Sequence, residues 1–208
     1  MDGIYAFTPH IWSSLLTVLL LLTLSAYSWR RRKVHGALPF AIGCLLAVLC
    51  VVASGLADAS TTIEAKIFWH KFKVAWHLPA VSVMAMFVLE YTWPGRWLSR
   101  LNLALLSIAP LLAVGFLLTD PLHHLAWRGF EVAGVFAPLP GPVLWLFVLY
   151  GLALTLLEIV AFGWLYRQSP PHRAPVAIML AGLIGARILY LLDLTSASPL
   201  PLYVLMLA

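Results

Sequence analysis

From Ile11 to Trp29 the chain carries no charged residue, and Arg30-Arg31-Arg32-Lys33 follows at once. A helix of about 20 apolar residues is what ~30 Å of hydrocarbon requires. No Lys or Arg precedes the run, so it lacks the charged front of a cleaved secretory signal. Similar runs recur along the chain, near residues 37–57, 63–93, 101–118, 143–166 and 175–192. They are too long and too uniformly apolar for barrel strands, and in lipid the backbone must satisfy itself within a helix or a closed barrel. Composition agrees: 62% of the 208 residues are apolar and 10% charged, against about 25% charged in soluble domains. The expected fold is all-α, a polytopic transmembrane helix bundle of one domain. Most soluble enzymes are excluded, and no nucleic-acid partner is expected. The bilayer itself is the first partner.

A seventh segment, 199–208, covers only ~15 Å as a helix, half the hydrocarbon core. Ending there would place a carboxylate in mid-bilayer. The expectation is therefore six full spans plus a partial seventh, in a chain that continues into a cytoplasmic output domain not present here. Orientation follows from Lys and Arg. Arg30, Arg31, Arg32, Lys33, Arg96, Arg100, Arg167 and Arg173 fall in loops on one side; Lys66, Lys71, Lys73 and Arg128 fall on the other. The positive-inside rule puts the eight-charge side in the cytoplasm and the N-terminus outside. A multi-pass protein of the bacterial cytoplasmic membrane is expected.

Polar residues in apolar spans are costly, so they carry the functional reading. Lys66, His70, Lys73 and His77 are spaced four, three and four apart. On a helix they fall within about 60° of one another. Trp69, Phe72 and Trp76 flank that stripe. It reads as the wall of an outward-facing vestibule for a small-molecule or lipidic ligand, with an anion suited to its charge. The bland reading is a helix projecting from the membrane, with snorkelling lysines and interfacial tryptophans. Histidine there makes a pH response between about 5 and 8 an expectation. His123, His124 and Trp127, in the loop after the fourth span, join the candidate ligand-binding set. Adjacent histidines point about 100° apart on a helix, and no characteristic ligand spacing accompanies them, so no metal is expected.

Glu158 lies deep in the fifth run and Arg187 deep in the sixth, about 13 Å and about 18 Å from the same end. An intramembrane ion pair between them is expected. Glu90 is expected to pair with Arg96 or Arg100. Pro79 and Pro110 should kink their spans. Gly182/Ala186 and Ala181/Gly185 are small-xxx-small pairs that mark close helix packing, within the chain or in a homodimer. Cys44 and Cys50 are six apart and cannot bridge on a helix. No cofactor is expected. A second core-depth His for haem is missing, as is a Lys in spans six or seven for a retinal Schiff base. Nothing in the chain suggests an enzyme.

Phe87-Val88-Leu89-Glu90-Tyr91-Thr92, Trp97-Leu98 with its basic turn, Leu106–Pro110, and Thr119-Asp120-Pro121-Leu122-His123-His124-Leu125-Ala126-Trp127 form a recognisable series. It resembles the seven-helix N-terminal sensor region of bacterial membrane histidine kinases. In that family a similar Phe-x-Leu-x-Tyr-Thr element ends the third helix. A Thr-Asn-x-x-His-x-x-x-Trp loop follows the fourth; here Asp120 stands in place of Asn. Asp193-Leu194-Thr195 resembles the link into helix seven. The resemblance implies a sensory module of a two-component system whose seventh helix leads to cytoplasmic domains, any kinase activity lying in those domains. The competing reading is a small accessory subunit of a larger membrane complex with no site of its own.

Overall fold

The computed structural model describes residues 5–7, 10–96, 99–131 and 137–197. Long helices dominate: α1 His10–Arg30, α2 Ala37–Ala59, α3 Ile63–Thr92, α4 Arg100–Leu118, α6 Pro142–Gln168 and α7 Arg173–Ala197, with a single turn, α5 Asp120–His123, after α4. Strands β1 Trp127–Glu131 and β2 Ala137–Pro140 form an antiparallel hairpin between α5 and α6. Among the described residues five helices (α1, α2, α3, α4 and α6) are long and apolar enough to cross a membrane. Segment 199–208 lies outside the described residues.

The boundaries have local causes. Ser99 caps α4, its Oγ accepting the Asn102 N–H at 3.2 Å. Pro142 opens α6 at a position where a missing N–H costs nothing. Gly36 starts α2 at φ 81°, and a Cβ there would sit 3.3 Å from Phe87 Cδ2. Glycine is needed on both counts. Pro79 and Pro110 are incorporated within continuous α3 and α4.

Helix α3 is the axis of the bundle. Of its most apolar stretch 56% is buried, against 11–22% for the other four candidate spans. Along it lie three apolar clusters. Near its start, Ala75 packs with Leu117 of α4 and with Ala126 and Trp127 of the loop and hairpin. In the middle, Val81 and Ala85 meet Leu154 of α6, with Leu106 of α4 and Tyr150 beside them. Near its end, Phe87 and Val88 pack against Ala161, Phe162 and Leu165 of α6 and Val176 of α7. Residues Ala85 to Glu90 are all buried, so the last turns of α3 are surrounded on every side.

Small residues let α1 and α2 approach. Gly55 of α2 faces Ser14 of α1, buried Ser25 of α1 donates to the Ala41 carbonyl at 2.9 Å, and Gly43 on α2 makes room instead for Met84 of α3. The outward faces of α1, α4 and α6 expose large aliphatic side chains, including Leu16, Leu111 and Val160. That is the surface a lipid-immersed helix presents.

The hairpin is one element the sequence analysis did not anticipate. Its second strand reads Ala-Pro-Leu-Pro, and proline-rich segments read as punctuation. Glu90 takes a backbone partner. It is 1% exposed, and its Oε1 accepts the Gly95 N–H at 2.8 Å, while Arg96 is exposed. The carboxylate closes the turn after α3, where Gly95 takes φ 74°. The Arg100 side chain, the other partner expected from sequence, lies outside the described residues.

Candidate functional site

At the hairpin end the described side chains converge on Asp120. Thr119 ends α4, and Asp120-Pro121 starts the single turn of α5. The Asp120 carbonyl accepts the His124 N–H at 2.8 Å, and His124 turns the chain at φ 51°. Asp120 Oδ1 then accepts the N–H groups of Ala126 at 3.0 Å and Trp127 at 3.3 Å. One carboxylate therefore closes the whole loop. Its second oxygen, Oδ2, receives the ammonium of Lys71 on α3 at 3.2 Å. The Asp120 side chain is 2% exposed and that of Lys71 is 31%. A buried carboxylate with three donors, one of them cationic, is the arrangement that makes burial of a charge tolerable.

Lys71 is held a second way. Its Nζ lies over the Trp127 ring at 5.0 Å from the centroid and over the Phe130 ring at 5.6 Å. Both are within the range of a cation–π contact. Trp127 and Phe130 stack at 6.1 Å with an interplanar angle of 29°, and the His70 ring meets both edge-on at 6.4 Å. The indole Nε1 of Trp127 is buried and has no hydrogen-bond partner among the described residues.

The hairpin is seated from its other side by Gly141. Its N–H donates to the Ala126 carbonyl at 2.7 Å. A Cβ at Gly141 would run into the Leu125 carbonyl, so no larger residue fits without moving backbone. Strand pairing is irregular between Trp127 and Gly129, where Arg128 is left over and exposed.

The vestibule residues named from sequence distribute as follows. His70 and Trp127 come together around Lys71. Lys66, Lys73 and His77 are half-buried on α3, and the Lys73 carbonyl faces the Cys50 thiol at 3.8 Å. Trp69 donates to the Tyr5 hydroxyl at 3.2 Å and stands in an aromatic run with Phe68 and Phe72. Trp76 meets Phe72 at 6.3 Å. His123 serves its own loop: Nδ1 accepts the Leu125 N–H at 3.1 Å, and Nε2 lies 3.2 Å from Thr119 Oγ1. His124 is exposed. Among the described residues no three His, Cys, Asp or Glu side chains converge as a metal site.

Lys71, Asp120 and Phe130 did not stand out in the sequence. Lys71 entered only as one charge among several, and Asp120 only as a motif substitution. The available signal was an acid placed directly at the end of an apolar span and before proline. Glu158 is buried on α6 at 2% exposure. The Arg187 side chain lies outside the described residues, and with it the expected pair.

An apolar helical bundle with a polar clasp at one end defines a multi-pass membrane protein with no catalytic constellation in its described part. The N-terminal 7TM region of histidine kinase, as a sequence family, matches residues 13–208. The chain belongs to this family, and so is a sensory transmembrane module, the non-catalytic input region of a histidine kinase. No curated protein and no solved structure matches it.

Proposed function

We propose that the module reads an extracytoplasmic or membrane-borne ligand at the hairpin end and signals inward through the seventh span, the 199–208 segment that follows α7 in the sequence. The supporting observation is the course of α3. Lys71 sits in the clasp at one end, and Phe87 and Val88, about 24 Å further along the helix axis, pack with Val176 at the start of α7. A ligand that competes for Lys71 acts on the same rigid element that α7 packs beside. Its effect on output equals its difference in affinity for the two arrangements. The Lys and Arg asymmetry supports placing the hairpin end outside and the Arg30–Lys33 end in the cytoplasm of a bacterial cell.

The ligand chemistry follows from the donors. Lys71, His70 and the Trp127 indole N–H favour a small molecule or lipid headgroup bearing an anion or a carbonyl, with Lys66, Lys73 and His77 further along the same helix.

The test uses the full-length kinase in inside-out membrane vesicles. Lys71→Met and Asp120→Asn should change basal autophosphorylation at least severalfold, at equal amounts of inserted protein. Leu122→Ala, on a side chain 84% exposed beside the clasp, should leave it unchanged. Wild-type output from both clasp variants would contradict the sensor reading and favour an accessory, structural role.

A further inference from the structure

At the opposite end of the bundle, the turn from α1 to α2 forms an open cavity of about 580 Å³ whose lining residues are all exposed. It is lined by Trp29, Arg30, Arg31, Arg32, Lys33 and Val34. Four cations therefore face one space, and no Asp or Glu occurs between Asp2 and Asp58 to neutralise them. We propose that this cavity binds the headgroup of an anionic phospholipid.

Three observations beyond charge support it. The guanidiniums are placed by aromatic rings: Arg31 lies 4.9 Å from the Tyr27 centroid and Arg32 5.9 Å from that of Trp29. Their planar forks lose less freedom on gripping a phosphate than free side chains would. The turn itself is held by backbone bonds from Arg31 to Ser28, Arg32 to Trp29 and Val34 to Arg31. Helix α2 begins in the same turn with no side-chain cap and no acid in its first turn, so its positive end adds to the field.

The flank of α1 identifies the ligand as a lipid. Leu20 and Leu24, one turn apart on one face of α1, are exposed on the turns immediately preceding the cavity. An acyl chain can lie along them while the phosphate rests among the arginines. Free phosphate would satisfy the cations and leave this apolar track unused. The site is separate from the Asp120 clasp, and its occupancy does not depend on what the clasp reads.

The experiment is native mass spectrometry of the purified chain released from detergent, with phosphatidylglycerol or phosphatidylcholine added. Phosphatidylglycerol should be retained at least tenfold better. The pair Arg31→Gln/Arg32→Gln keeps Arg30 and Lys33 as topology signals. Each substitution should weaken phosphatidylglycerol binding about fivefold, while Arg31→Lys/Arg32→Lys should recover part of it. Wild-type retention should fall with salt and resist inorganic phosphate at equal concentration. Equal retention of the two lipids, or undiminished retention by the Gln pair, overturns the proposal. Displacement by equimolar inorganic phosphate assigns the cavity to free phosphate and overturns the lipid source. The wild-type salt series decides the matter even where the Gln pair fails to fold: retention indifferent to salt contradicts a headgroup held by charge.

Discussion

Asp120 is the residue on which the loop after α4 closes. Replacing it with Ala would leave two buried backbone N–H groups without an acceptor, at about 1–3 kcal/mol each, and would strand Lys71 between two rings. Asp120→Ala should lower the thermal midpoint of the chain in detergent and speed hydrogen exchange at Ala126 and Trp127. Asp120→Asn keeps a carbonyl for those donors and should protect the same amides, losing only the ion pair with Lys71. The resemblance of this loop to one carrying Asn fits that division. Gly141→Ala places a methyl against the Leu125 carbonyl. Relieving it requires backbone movement, with a cost of about 1–3 kcal/mol. The same thermal measurement should show it, although the substitution removes no contact. An unchanged midpoint would mean that the hairpin is seated differently.

Helices and hairpin were unequally legible at the scale of elements. The long helices announce themselves because a membrane demands uninterrupted apolar length, and that demand acts on every residue of a span. The hairpin rests on a few backbone bonds and a glycine, and its second strand has prolines where strand propensity would be sought. The polar stripe on α3 shows the same division. Helical spacing brings Lys66, His70, Lys73 and His77 onto one face, but spacing cannot say which neighbour an adjacent element delivers. Lys71 is off that stripe, and only the fold sets Asp120 beside it. The burial of α3 was likewise hidden: its polar first half lowers its apolar signal, yet it is the most enclosed of the five candidate spans among the described residues. Phe87→Ala should therefore cost about 3–5 kcal/mol. Leu16→Ala, on a side chain 71% exposed on α1, should cost far less in detergent. Comparable losses would contradict the central placement of α3.

Taken as a whole, the molecule has two chemically different ends joined by one buried helix. Orientation is open to direct measurement. In a Cys44→Ala/Cys50→Ala background, Leu122→Cys should react with a membrane-impermeant maleimide added outside intact cells. Val34→Cys should react only after the cells are opened. The reverse pattern would invert the reading of the basic loops. The central claim is that breaking the clasp at the hairpin end is felt at the far end of α3. It is tested most directly by the distance between spin labels at Leu105→Cys on α4 and Ile178→Cys on α7, both exposed near the basic end. Introducing Lys71→Met should shift or broaden that distance by about 1–2 Å, the scale of helix shifts in switching proteins. An unchanged distribution, with a label at Leu122 showing that the hairpin has loosened, would contradict the account.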